Sequence, residues 1–195
     1  MKLSEKKTLK KKEEIILSAI KIVNRKGYQG ATMEEIAAEL LMTKGSLYYY
    51  FKNKEDLIFQ CHELVLSKVI EELQAHLEED QLTYEQRLRK MIVTHIDYAI
   101  EEKETLNLII IPDETYSTDH LNPILEKRNA YARYFDQVIE RGIEANEFTI
   151  TEPKIARMIL LGSMNWIQQW YSPKGRKTKE EIQEIYSDYL LKIVK

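Results

Sequence analysis

The 195-residue chain predicts an all-α fold of about nine helices. Apolar residues recur three and four positions apart along most of its length, the repeat of one helix face. Three capping boxes mark helix starts: Thr32 with Glu35, Thr83 with Gln86 and Thr178 with Glu181. In each, the threonine hydroxyl accepts from a backbone N–H three residues on, and the partner side chain reaches back to the threonine N–H. Only 6 glycines and 4 prolines are spread through the chain, few enough to leave long helices unbroken.

Taken in order, residues 1–11 form a lysine-rich arm with Lys2, Lys6, Lys7, Lys10 and Lys11. It reads equally as a solvated terminus or as a segment that tracks phosphates. A first helix comes next, over 12–26, with Ile15, Ile16, Ala19, Ile22 and Val23 on one face and Gly27 closing it. Thr32 opens a second helix to Leu40, whose inward residues are Ile36, Ala37 and Leu40. Thr43 caps a short third helix to Phe51, and Asn53 caps a long fourth one over 54–78. The fifth runs from Thr83 to 102 on a stripe of Leu88, Met91, Ile92, His95 and Ala99. The apolar run 106–111 reads as a short sixth helix stopped by Pro112, with a polar loop after it over 113–121. Pro123 starts the seventh, to 146, since a first-turn N–H has no partner to lose. The eighth spans 151–171, Ser172 to Gly175 is a turn, and the ninth spans 178–194. This divides the chain into a three-helix head, residues 1–52, and a helical body, residues 53–195.

Composition narrows the function. Net charge is −3, but it is unevenly placed. Residues 1–60 carry 12 Lys/Arg against 8 Asp/Glu, while 61–195 carry 17 against 24. The positive field therefore lies on the head, where a polyanion would meet it. No apolar run reaches the length of a membrane span, and the N-terminus lacks the apolar segment of a secretory signal, so no membrane partner is expected. The single Cys61 excludes an internal disulfide and suits a cytoplasmic protein. The histidines at 62, 76, 95 and 120 follow no metal-ligand spacing. Cys61 and His62 are adjacent on a helix and point about 100° apart, which argues against a nucleophile–base pair. No phosphate loop, nucleophile elbow or dinucleotide fingerprint is present, so neither an enzyme nor a cofactor is expected.

The stretch from Thr32 to Lys54 carries the sharper signal. Its second helix opens with Lys44, Gly45 and Ser46, small or cationic residues suited to the end that meets base edges. Leu47 and Phe51, four apart, form the buried stripe and leave Tyr48 and Tyr49 free to reach phosphates. Thr32, Thr43, Lys44, Gly45, Ser46, Tyr48, Tyr49 and Lys54 are the candidate DNA contacts.

Residues 12–60 resemble the DNA-binding domain of the TetR/AcrR family of bacterial transcriptional regulators. The match rests on Thr32, Ile36, Ala37, Thr43, Lys44, Gly45, Leu47, Tyr48, Tyr50, Phe51, Lys54 and Leu57. Leu41 departs from it, standing in the turn where the family usually has glycine, which tolerates positive φ. One recognition helix per subunit calls for a homodimer on a palindromic double-stranded operator. The resemblance implies an effector pocket among the fifth to eighth helices, with ligand binding relayed through the fourth.

The residues of the body fit both implications. Ile159, Gly162, Trp166 and Trp170 on the eighth helix, and Ile182, Tyr186 and Tyr189 on the ninth, give more apolar surface than one protomer should need. A helical hairpin pairing with its copy would bury them in a four-helix bundle. For the pocket, His95 and Ile92 with Tyr131, Phe135 and Asn165 mix apolar walls with a few polar groups, as an apolar small-molecule site requires. Asn165-Trp166-x-x-x-Trp170-Tyr171-x-Pro173-x-Gly175 looks like the tail of regulators that sense acyl-CoA thioesters, and reads equally as dimer packing. Two functions fit: a repressor released by an apolar molecule such as a fatty acid or acyl-CoA, or a DNA-binding dimer whose body has no small-molecule site.

Overall fold

The computed structural model describes residues 3–105 and 116–195, and every regular element among them is a helix. They are α1 (Leu3–Gly30), α2 (Met33–Glu39), α3 (Lys44–Tyr50), α4 (Lys54–Leu77), α5 (Tyr84–Glu101), α6 (Thr118–Glu144), α7 (Pro153–Trp170) and α8 (Lys179–Leu191). The short helix expected over 106–111 lies outside the described residues. The chain forms two compact units, residues 1–65 with 104–125 and residues 66–103 with 126–195.

The first unit is built on α1. Ile15, Ala19, Ile22 and Val23 are buried, as their spacing requires. The helix starts at Leu3, so the segment expected as an arm continues it over 3–11, with Lys6, Lys7 and Lys10 exposed. Gly27 adopts φ 73°, which kinks the helix at the point where its sequence predicts an end. Met33, Ile36 and Ala37 of α2 and Leu47 of α3 complete the small core with Phe51.

The turn between α2 and α3 is a Schellman motif. Met42 N–H donates to the Ala37 carbonyl at 2.8 Å and Leu41 N–H to the Ala38 carbonyl at 3.0 Å. Leu41 therefore occupies the left-handed position, at φ 53°, with its side chain 96 % exposed. A residue with a Cβ is strained there, and this one gains no packing in exchange. The same motif ends α6, where Asn146 at φ 59° is better suited to it.

In the second unit α5 is the central element. Leu88, Met91, Ile92, His95, Ile96 and Ala99 are all buried, and α7 and α8 pack against this helix. Arg87 lies beneath the α4–α5 connection, donating to the carbonyls of Leu77 at 2.7 Å and Leu82 at 3.0 Å. Arg157 of α7 pairs with Asp136 of α6 at 2.7 Å. Gln183 of α8 donates to the Val93 carbonyl at 3.3 Å. α6 begins at Thr118, five residues before the proline expected to start it. Ser117 caps it, its carbonyl accepting from His120 and Leu121, so Pro123 lies in the second turn.

Leu41→Gly is expected to raise unfolding stability by about 1 kcal/mol, because it relieves the left-handed strain and removes no contact. Urea denaturation at constant m-value checks this, and an unchanged or lower midpoint contradicts it.

Candidate DNA and effector sites

The sequence shapes α3 into a small platform. Thr43 Oγ1 accepts from Ser46 N–H at 3.1 Å, fixing the first turn. Leu47 and Phe51 are buried, so Lys44, Gly45, Ser46, Tyr48 and Tyr49 all face outward, Tyr49 at 75 % exposure. A Cβ added at Gly45 would meet nothing nearer than Thr43 Oγ1 at 4.0 Å. The fold itself does not require glycine there. Thr32 uses its hydroxyl for the α2 cap, accepting from Glu35 N–H at 3.2 Å, while its edge stays exposed.

Two lysines of the head differ in where they point. Lys44 forms an exposed ion pair with Glu34 of α2. The contact lowers the glutamate pKa and raises that of the lysine, through the hydrogen bond between them. Lys54, expected to reach phosphate, turns its ammonium inward. It donates to the Tyr28 carbonyl and lies 4.0 Å from the centre of the Tyr28 ring. Burial lowers its pKa. Lys54 thus ties the start of α4 to the last turn of α1, just past the Gly27 kink.

Sequence spacing gives no hint of a second cluster in the same unit. Glu55 Oε1 accepts from Ser117 N–H at 2.8 Å, Ser117 Oγ at 2.6 Å and His120 Nδ1 at 2.8 Å. These bonds, those from Ser117 foremost, hold the carboxyl at a pKa of about 2. The His120 ring stacks on Phe59 with centroids 4.5 Å apart. Buried His62 bonds to the Tyr116 hydroxyl, and burial drops its pKa to about 3. These partners stand 54 to 65 residues apart in sequence, beyond any local pattern.

The second unit brings together four of the five residues expected to line an effector site. His95 Nδ1 lies 2.5 Å from the Tyr131 hydroxyl. Phe135 meets the His95 ring edge-on at 6.3 Å and Tyr131 at 5.6 Å. Asn165 approaches the same imidazole. Ile92, the fifth, is fully buried one turn earlier on α5. Burial lowers the His95 pKa to about 4; Asn165 opposes that shift only in part, so the ring is neutral near pH 7. His95 Nε2 is buried and, among the described residues, meets no partner in hydrogen-bonding geometry.

The outer face of α7 and α8 is apolar and exposed. Ile155, Met158, Ile159, Trp166 and Trp170 lie along α7, with Ile185 and Tyr189 on α8. Trp166 is 65 % exposed, and a Cβ at Gly162 would meet nothing within 4 Å. Trp170 stacks on half-buried Tyr186 at 6.3 Å. Ile182 corrects the expected interface. It is 5 % exposed and faces the core of its own chain, because the buried stripe of α8 runs through 182, 183, 187, 190 and 191.

Comparison with known proteins agrees with this architecture. Residues 15–61 match the bacterial regulatory proteins of the tetR family, and residues 81–194 match the tetracyclin repressor-like C-terminal domain. The chain belongs to the TetR family. It is a DNA-binding transcriptional regulator, and its relatives are regulators rather than enzymes. The fatty acid metabolism regulator protein of Bacillus subtilis is 24% identical over 156 residues, 78% of each chain. Among solved structures, AibR in complex with isovaleryl coenzyme A and operator DNA superposes with a TM-score of 0.80 at 23% identity, over 92% of this chain and 97% of that one. The fatty acid degradation regulator FadR from Bacillus halodurans does so with a TM-score of 0.74 at 20% identity, over 93% and 94%. These likenesses show that the TetR fold extends over nearly the whole length. None of the described helices is long and apolar enough to cross a membrane.

Lys54→Ala is expected to destabilise the head by about 1–2 kcal/mol, since a charge-assisted hydrogen bond and a ring contact are lost together. Thermal unfolding without DNA reads this directly. A wild-type transition temperature would show that the inward contact stabilises nothing.

Proposed function

We propose that this regulator is a repressor that binds a palindromic operator as a homodimer and is released by an apolar small molecule, a fatty acid or acyl-CoA. One α3 per chain reads a single half-site, so a two-fold pair is the simplest reader of a palindrome. Lys44, Gly45 and Ser46 would face base edges, and Thr32, Thr43, Tyr48 and Tyr49 would face the backbone. The open space at Gly45 supports this, since the one thing left to approach that closely is outside the chain. Lys54, held by Tyr28, would contribute field rather than a flexible contact.

The exposed stripe of α7 and α8 supports the dimer. Ile159, Trp166 and Trp170 on α7 and Tyr189 on α8 are large apolar side chains left exposed, as an interface for a second copy would be. Gly162, with nothing against it, would admit the partner helix closely.

The effector half of the proposal rests on one observation, the His95–Tyr131 pair in which the second ring nitrogen, itself buried, meets no partner among the described residues. An unmet buried polar group costs about 1–3 kcal/mol, and a ligand could supply the missing bond. The relatives named for fatty acid metabolism and isovaleryl coenzyme A support the acyl class. An effector that prefers one spacing of the two α3 helices shifts operator binding by its differential affinity alone.

The test is operator affinity measured against fatty acids and acyl-CoAs of increasing chain length. At least one acyl-CoA is expected to weaken operator binding ten-fold or more at saturation, within the roughly 5- to 150-fold range of allosteric coupling. If no member changes the affinity, the body serves dimerisation only and the effector reading falls.

A further inference from the structure

Resting on the acyl-effector reading above, we infer that His95 Nε2 is an N–H donor aimed at an uncharged carbonyl oxygen of the effector, so that this site takes the thioester and rejects the free carboxylate.

Tyr131 sets the proton's position. Burial raises the pKa of its hydroxyl, and the partner of that hydroxyl is His95 Nδ1 at 2.5 Å. A buried O–H must donate, and Nδ1 is the acceptor within reach. A neutral imidazole has one donor nitrogen and one acceptor nitrogen. If Nδ1 accepts from Tyr131, then Nε2 carries the proton. That nitrogen is buried, at a residue 6 % exposed, and among the described residues it meets no partner in hydrogen-bonding geometry; the Asn165 side chain is the neighbour that acts on the ring. Tyr131 therefore acts as a positioning residue that sets the tautomer, and His95 presents the donor.

The charge state narrows the ligand. Burial keeps His95 neutral, Asn165 is the single side chain opposing that effect, and no neighbouring charge contributes. Among the described residues, the three side chains in contact with the ring, Tyr131, Phe135 and Asn165, are uncharged. A carboxylate brought here would lose its hydration and gain no cation from these side chains in return. A carbonyl oxygen loses far less on burial and gains the Nε2–H bond, with the Asn165 amide beside it. Phe135, edge-on to the imidazole, provides an apolar flank for the adjoining chain.

Three probes in titration calorimetry separate the donor's role from the acyl reading beneath it. They are dodecanoyl-CoA, its thioether analogue S-dodecyl-CoA, which lacks the carbonyl oxygen, and dodecanoic acid. Wild-type dimer is expected to bind dodecanoyl-CoA about ten-fold or more tighter than either of the others, in keeping with the worth of one buried donor. His95→Phe is expected to bind the thioester and the thioether alike, and Tyr131→Phe to narrow the gap by releasing the tautomer. Equal affinity of the wild type for thioester and thioether overturns the inference and leaves the acyl reading standing. So does a free acid that binds as tightly as the thioester. A thioester preference that persists undiminished in His95→Phe assigns the donor elsewhere and overturns it too. If neither CoA compound binds, the acyl reading itself fails and the inference falls with it. The wild-type comparison decides the matter even where a variant does not fold.

Discussion

Seven residues of α3 are too few to hold a helix in water, because nucleation fixes several dihedrals before hydrogen bonds accumulate. The head is arranged around that constraint. Leu47 and Phe51 anchor the helix in the core, Thr43 satisfies its first turn, and the Schellman turn at Leu41 sets the direction from which it enters. Lys54 fastens the start of α4 to Tyr28 in the last turn of α1. Once these supports are in place, the outward face can be chosen for what it meets rather than for folding. That is why Lys44, Gly45, Ser46, Tyr48 and Tyr49 can be small, cationic or hydroxyl-bearing without loss to the core.

The body is organised differently. Its interior is apolar along α5, yet it retains a histidine, a tyrosine and an asparagine at one place. Such groups weaken a core unless their hydrogen bonds are met. The Tyr131 contact meets one of the two ring nitrogens, and among the described residues the other is unmet. Conversely, the outer stripe of α7 and α8 leaves apolar area in water. Both features are incompletely satisfied in a single chain, and each is resolved in the proposal by something outside it: a ligand in one case, a second copy in the other.

Local chemistry was legible in the sequence, and distant chemistry was not. All three capping boxes form where Thr32, Thr83 and Thr178 placed them, because a cap is decided within four residues. The buried stripe of α5 and the Leu47–Phe51 anchor follow from period alone. Leu41 was readable as a misfit because its turn demands positive φ. The inward turn of Lys54 was not readable, since lysine near a DNA-facing helix suggests phosphate and Tyr28 stands 26 residues away. Ile182 was misassigned for a related reason. Period shows that a residue belongs to a stripe, but on a helix apolar on two sides it does not say which stripe faces home. The Glu55–Ser117–His120 cluster depends on long-range closure and left no local signature.

At the centre of this account, one short helix per chain reads DNA in a two-fold pair. In vitro selection from a random duplex library tests it most directly, because the protein itself reports the symmetry of its site. The account predicts an enriched palindrome whose half-sites are centred about one helical turn, or a multiple of it, apart. Enrichment of a single asymmetric half-site, or of no common sequence, would contradict it.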